Sequence, residues 1–316
     1  MGDVILAPFS SIGMINASNL RWLVKCAFAA ASALLLCAAA KPWLPRVQAP
    51  PTTVRDASLF ALNRYLSEPN PDVVLLGSSL TARIKEQYFA TLRVTNLGIL
   101  GGSPLTGLRI ILLTPQSPPK TILIETNLLS NVADETLVEN FATQGHDFFF
   151  RPVRMAHAAY ENWNHAPVNR VRSMADADRV LKEAPQEYDN QVYLDRLTKA
   201  YGQDASVLLQ KNVDQLAKLV SSARGLGARV LLFELPYPDQ LDQTRVALDT
   251  RRIALSRFGD PHEWLHLTIA KSELRWPDGA HFDERSAVLA ARAIEQAIGE
   301  PSEAPTLRNI PARVHP

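Results

Sequence analysis

The chain has 316 residues, with 33 basic against 32 acidic side chains and a net charge of +1. That balance excludes a protein built to grip nucleic acid by charge. Apolar content of 47% with 21% charged residues excludes a disordered or fibrous chain, and the two cysteines, Cys26 and Cys37, both near the N-terminus, leave the body indifferent to an oxidising compartment.

The first element in chain order is an apolar run. Residues 26–40 contain only Ala, Leu, Phe, Ser and Cys. Extended back to Trp22, the run makes roughly 28 Å of helix against a hydrocarbon core of about 30 Å. Trp22 and Trp43 bracket it as interfacial anchors do, and Lys25 must snorkel from its first turn. Arg21 and Lys25 precede the run and Lys41 and Arg46 follow it, so charge does not orient it. Residues 1–45 therefore read as one N-terminal transmembrane helix. Ala38-Ala39-Ala40 offers instead a signal-peptidase site. Leu35-Leu36-Cys37 is a poor lipoprotein box, because the residue before the Cys is not small. An anchor or a cleaved signal alike puts the body outside the cytoplasm, on the periplasmic or outer side of the inner membrane.

Residues 46–69 form a linker and entry helix. The stretch 41–55 is rich in Pro, and Asp56 reads as the N-cap of a short helix reaching Leu66. A repeating theme fills residues 70–300. Short apolar runs at 72–76, 93–97, 121–126 and 229–235 alternate with helical patterns at 82–88, 106–113, 206–224 and 283–298. Continuous apolar strands separated by helices indicate a buried parallel sheet. The expected fold is a three-layer α/β/α sandwich around a parallel sheet of about five strands. The theme breaks at 131–204, a polar and aromatic stretch with Phe148-Phe149-Phe150, Tyr160, Trp163, Tyr188 and Tyr193. It reads as a helical insertion over the sheet. The Pro-rich tail, 301–316, reads as loose.

Two segments carry chemistry. Gly77-Ser78-Ser79-Leu80-Thr81 lies where the first strand stops, and Asp278-Gly279-Ala280-His281 lies just before the last helix. A serine hydroxyl is a poor nucleophile until an oriented base removes its proton, and the oxyanion it creates needs positioned donors. Ser79 is the candidate nucleophile, His281 the base and Asp278 its support. The glycine-rich turn through Gly101 lets a backbone N–H approach a reacting carbonyl. Asn127, at the end of the third strand, has an amide able to donate there. Each piece alone has a plainer reading: a turn with a helix cap, a turn former, a surface His. Their order along the chain is what links them.

These blocks resemble the SGNH (GDSL-type) hydrolase superfamily. Gly77-Ser78-Ser79-Leu80, Asn96-Leu97-Gly98-Ile99-Leu100-Gly101, Glu125-Thr126-Asn127 and Asp278-Gly279-Ala280-His281 are similar to its four sequence blocks. The resemblance implies an SGNH-like fold, Ser79 as nucleophile, and an oxyanion hole from the N–H groups of Ser79 and Gly101 with the Asn127 amide. It implies no cofactor. Two positions depart from the pattern: Ser78 stands where the family usually has Asp, and Glu125-Thr126-Asn127-Leu128 replaces Gly-x-Asn-Asp. With an N-terminal anchor, the arrangement is similar to membrane-anchored proteins of alginate O-acetylation and teichoic acid D-alanyl transfer. That implies a serine O-acyltransferase acting on an envelope or exported polysaccharide, beside a polytopic membrane-bound O-acyltransferase or polysaccharide synthase. An esterase or deacetylase shares the same acyl-enzyme step, and a non-catalytic glycan-binding or scaffold subunit is the third reading.

One rival motif competes. His262-Glu263-Trp264-Leu265-His266 matches H-E-x-x-H. On a helix, His262 and His266 would share a face and bind zinc, with Glu263 as base. No convincing third ligand accompanies them, and Trp264, Leu265 and Leu267 read equally well as packing residues.

Overall fold

The computed structural model describes residues 17–40, 61, 62, 65, 71–114, 118–142 and 170–299. The expected linker, most of the entry helix, the aromatic run Phe148-Phe149-Phe150, Tyr160, Trp163 and the tail lie outside these residues.

Four strands form one parallel sheet: β1 (Val73–Gly77), β2 (Val94–Gly98), β3 (Thr121–Glu125) and β4 (Arg229–Phe233). Their spatial order is β2-β1-β3-β4. In register, Gly77 lies beside Gly98, Leu76 beside Ile124, and Glu125 beside Phe233. The chain runs outward from β1 to β2, then crosses back past β1 to start β3. The order therefore reverses between β1 and β3, and the crevice outside their carboxyl ends is where such sheets bind ligands.

Alternate side chains of each strand feed two separate cores. Val74, Leu76, Ile122, Ile124, Val230 and Leu232 face one side. There they meet α3 (Pro104–Leu113), α7 (Ser206–Gly225) and, beyond the single turn α8 (Asp239–Asp242), α9 (Arg245–Arg257). Val73, Leu75, Leu123, Leu231 and Phe233 face the other and meet α10 (Glu284–Gly299). Helices cover both faces, as a three-layer sandwich requires. Sequence explains the ends of these elements. Ser103 caps α3 by accepting from the Leu105 N–H at 3.3 Å, and Pro104 follows at its first turn. Gly107 lets α3 close on the sheet, because a Cβ there would lie 2.7 Å from Leu76 Cδ2. Between α3 and α7 lie α4 (Glu135–Ala142), α5 (Arg170–Lys182) and α6 (Gln191–Tyr201), so the described parts of the insertion are largely helical, with no strand among them.

Among the described residues the sheet has four strands, against about five expected. The segment after α9 meets β4 at one parallel bridge, Leu232 with Trp264, where the Leu265 N–H donates to the Leu232 carbonyl at 2.7 Å. Residues Pro261–Glu263 are spent in a 3-10 turn, so extended backbone begins only at Trp264. The opposite edge is closed by side chains. The Glu86 carboxylate accepts the Asn96 N–H at 2.7 Å, and Asn96 Oδ1 accepts the Gly98 N–H at 2.8 Å. Such capping protects an edge strand from pairing with another chain.

The N-terminal helix, α1 (Ala17–Ala40), is 24 residues long, and Trp22, Phe28, Leu35 and Leu36 on it are exposed. Among the described residues no helix is long and apolar enough to cross a membrane.

Candidate active site

The nucleophile candidate sits on a turn that only glycine permits. β1 ends at Gly77, where a Cβ would lie 2.2 Å from Thr81 Oγ1 and 2.7 Å from Glu125 Oε2. Ser78 is extended and buried, and its Oγ accepts the Leu80 N–H at 3.2 Å. Ser79 then opens α2 (Ser79–Ala82), a single turn, and is itself partly exposed. The helix expected over 82–88 does not form; a 3-10 turn at Glu86–Tyr88 takes part of its place. The cause is Asn96 on β2. Its Nδ2 donates to the carbonyls of Thr81 at 2.7 Å and Ile84 at 2.6 Å, which a continuing helix needs for its own ladder. With four residues, α2 aligns few peptide dipoles, so its field at Ser79 is small.

The second half of the site comes from the turn before α10. Gly279 has φ +82°, a left-handed conformation suited to glycine, and its N–H bonds the Trp276 carbonyl at 3.0 Å. Asp278 Oδ1 accepts the N–H groups of Ala280 at 3.2 Å and His281 at 2.8 Å. Asp278 Oδ2 lies 2.7 Å from His281 Nδ1. His281 Nε2 lies 2.7 Å from Ser79 Oγ. Residues 202 positions apart thus form one hydrogen-bonded row. Assigning the imidazole proton to Nδ1, where the carboxylate receives it, leaves Nε2 as acceptor for the Ser79 hydroxyl. Partial burial pushes the Asp278 carboxyl up. The bonds from the His281 ring and N–H, the neighbouring imidazole and the Ala280 N–H outweigh it and hold the carboxyl well below its ordinary range.

Two acidic side chains of α10 close the distance between these halves. Glu284 Oε1 accepts from Lys85 Nζ at 2.9 Å and from the Tyr88 hydroxyl at 2.8 Å. The Glu295 carboxylate accepts the N–H groups of Ala90 at 2.9 Å, Thr91 at 2.5 Å and Leu92 at 3.0 Å. Burial opposes its charge, but these donors win and bring its carboxyl down to about 2. The helix that follows His281 is thereby fastened to the segment that follows Ser79.

The oxyanion candidates are placed less uniformly. Gly101 is exposed at φ +71°, with nothing within 4 Å of where a Cβ would stand. Its loop is tied to the end of β1 by the Ile99 N–H, which donates to the Gly77 carbonyl at 3.0 Å. Asn127 is buried, and its carboxamide pairs with Leu235 at both ends. Nδ2 donates to the Leu235 carbonyl at 2.7 Å, and Oδ1 accepts the Leu235 N–H at 2.8 Å. The side chain thus prolongs the β3–β4 ladder. One of its two amide protons is spent there, and the same amide stands near enough to the Tyr237 hydroxyl to act on it.

Two partners of the row, Glu125 and Asn96, stand in the blocks quoted above, but nothing in the sequence assigned either of them a contact. Glu125 is fully buried, and its Oε2 accepts from the Ser78 N–H at 2.8 Å, the Ser78 hydroxyl at 2.7 Å and the Thr81 hydroxyl at 3.2 Å. Burial pushes its carboxyl up against these bonds. Its Oε1 makes no hydrogen bond among the described residues, although the Leu128 N–H is near enough to favour the charged form. The only sequence signal was an acid ending an otherwise apolar strand. Asn96 is the second, and its signal was an amide inside a strand.

The H-E-x-x-H segment is not a helix. Pro261–Glu263 is a 3-10 turn capped by Asp260, which accepts the His262 N–H at 2.9 Å, and Trp264 is extended. His262 and His266 therefore do not share a helical face. Glu263 pairs with Arg224 rather than standing beside them as a base. Among the described residues no group of three or more His, Cys, Asp and Glu side chains is placed to hold a metal ion.

The insertion leans on the base. Asn190 Nδ2 donates to the Trp276 carbonyl at 2.5 Å, Arg275 pairs with Glu187 at 2.6 Å, and Arg285 Nε donates to the Glu183 carbonyl at 2.9 Å. Leu194 of α6 lies 3.1 Å from where a Gly279 Cβ would stand. Of the expected aromatic residues described there, Tyr193 is half exposed and the Tyr188 hydroxyl reaches Gln186 Oε1 at 3.1 Å.

At the switch point of a parallel sheet, then, a hydroxyl, an imidazole and a carboxylate stand in contact, an arrangement able to make and break acyl esters. Comparison of the chain with protein-family models, with curated proteins and with solved structures gives no match.

Proposed function

We propose that the protein is a serine O-acyltransferase of SGNH type that modifies a cell-envelope or exported polysaccharide through an acyl-Ser79 intermediate. The reading rests on one observation above the others, the unbroken contact of Asp278, His281 and Ser79 at 2.7 Å per step. His281 Nε2 takes the Ser79 proton as Oγ attacks the acyl carbonyl carbon. The oxyanion forms against the N–H groups of Ser79 and Gly101 and the Asn127 amide. The tetrahedral adduct collapses, the donor's leaving oxygen receives the proton from His281, and the acyl group stays on Ser79. In the second half His281 deprotonates an acceptor hydroxyl, which attacks the ester, and Ser79 regains its proton. Asp278 keeps the ring oriented and stabilises the imidazolium throughout.

The exposed apolar side chains of α1 support a further part of the reading, that α1 seats the chain at the inner membrane with the body in the periplasm. A membrane-bound O-acyltransferase or polysaccharide synthase is the proposed neighbour supplying the acyl group. Hydrolysis is the second reading, favoured by the openness of the base: the Asp278 side chain is 41% exposed and that of His281 26%. Water reaching that edge resolves the same intermediate.

Ser79→Ala tests the proposal. It should abolish acyl transfer to the polymer while leaving the circular dichroism spectrum and melting temperature close to wild type. Transfer that persists in a folded Ser79→Ala protein overturns it, and in that case a non-catalytic glycan-binding or scaffold role gains.

A further inference from the structure

We infer that Glu125 is a positioning residue for the Ser79 nucleophile, holding through one buried oxygen the two residues that bracket it. The inference rests on the reading of Ser79 given above. Ser78 precedes Ser79 and Thr81 follows it by two. Both reach the same acceptor, Glu125 Oε2, which takes the Ser78 N–H at 2.8 Å, the Ser78 hydroxyl at 2.7 Å and the Thr81 hydroxyl at 3.2 Å. The turn is thus clasped from the neighbouring strand on both sides of the reactive hydroxyl.

The space around the clasp is shaped for it. Gly77 has no side chain because Thr81 Oγ1 and Glu125 Oε2 occupy the place where one would go. Ser78, Thr81 and Glu125 are each fully buried. Three donors on one oxygen suit a group that only accepts, as a carboxylate does. Glu234 and Asp242, by contrast, are partly exposed and sit beside the Arg251 guanidinium. Among the described residues Glu125 has no Lys or Arg among its hydrogen-bond partners, and the titratable groups its charge acts on from neighbouring elements include Tyr201 and Tyr237. A buried acid without a cation is costly. A neutral side chain would fill the space at less cost, so the arrangement makes sense where the position of the turn matters more than stability.

The consequence is kinetic. Ser79 Oγ sits 2.7 Å from His281 Nε2, and catalytic groups tolerate displacements of only about 0.5 Å. Releasing the turn lets the hydroxyl drift from the base. A purely structural loss would instead lower the fraction of molecules with a formed site and leave the survivors reacting at the normal rate.

Labelling of the full chain with a fluorophosphonate probe, which reacts with activated serines, separates these effects. Wild type should label at Ser79 and Ser79→Ala should not. Glu125→Ala should label with a maximal rate constant about 100-fold lower and an unchanged probe affinity. Glu125→Gln, whose amide oxygen still accepts from Ser78, should recover to within about tenfold of wild type. The pair Ser78→Ala with Thr81→Val keeps the acid and removes two donors; it should be slowed about tenfold even if Glu125→Ala does not fold. Rate constants equal to wild type in Glu125→Ala, or in the double variant, overturn the inference and leave the serine reading standing. A folded wild-type protein that does not label at Ser79 overturns both.

Discussion

The two halves of the hydrogen-bonded row Asp278–His281–Ser79 are held by different physics. The Ser79 half is dry: Ser78, Thr81 and Glu125 are fully buried at the ends of two paired central strands. Its tethers are side chains bonded across 47 and 44 residues. The His281 half is wet. Its Gly279 turn sits on α6, and its ties to the insertion include the exposed pair Arg275–Glu187. Exposed pairs of this kind contribute about 1 kcal/mol or less each, and salt screens them. The Ser79 turn is therefore held by the sheet, whereas the His281 turn is held in part by contacts that face solvent.

The largest effect that would sharpen this contrast is on the base side. Asp278→Asn should lower acyl transfer by about 10³- to 10⁴-fold, because the amide favours the wrong imidazole tautomer. Stability should also fall at neutral pH, since the charged carboxylate accepts from the Ala280 and His281 N–H groups and the His281 ring. A fall of less than about tenfold in transfer rate would show that the base does not depend on its carboxylate.

Next comes a matched pair of glycine substitutions read by thermal denaturation. Gly77→Ala forces a methyl group against buried Thr81 and Glu125, and should cost about 2–3 kcal/mol. Gly279→Ala meets Leu194 at 3.1 Å and must adopt φ +82°, which should cost about 1–2 kcal/mol. Equal losses, or a larger one at Gly279, would break the distinction between a dry half and a wet one.

The smallest expected effect is on stability against pH, and the two carboxyls act in opposite directions. Glu125 has a folded-state value raised above its ordinary 4.5, so its contribution is complete below that value and is lost as pH rises through the folded one. Asp278 has a folded-state value lowered from 3.8, so its contribution is present above 3.8 and is lost as pH falls through the folded one. Urea denaturation should accordingly show Glu125→Gln gaining stability relative to wild type as pH rises, and Asp278→Asn losing its disadvantage in acid. Parallel pH curves for wild type and Glu125→Gln would remove the buried charge from the account.

Much of this was legible in the residues. The runs at 72–76, 93–97, 121–126 and 229–235 were read as strands, and the four strands lie within one or two residues of them. Continuous apolar runs bounded by turn residues leave little else for the backbone to do. The helix α9 went unread because Arg245, Asp249, Arg251, Arg252 and Arg257 interleave with the buried Val246, Ile253 and Ala254. The short α2 in place of a longer helix, and the clasp at Glu125, were not legible for one reason. Both depend on a single side chain from another strand, and such contacts leave no periodicity in the sequence. Gly101 was named from its place in the turn after the second strand and from the resemblance, whereas the pairing of Asn127 with Leu235 had no local sign.

The most direct measurement is to mix the purified chain with an activated acetyl ester, quench early and map the modified peptide by mass spectrometry. One acetyl group on Ser79 in the wild type, accumulating faster than it is lost and absent from His281→Ala, is the predicted result. Turnover of the ester by wild type with Ser79 unmodified at every time, or with the acetyl group on another residue, would contradict it.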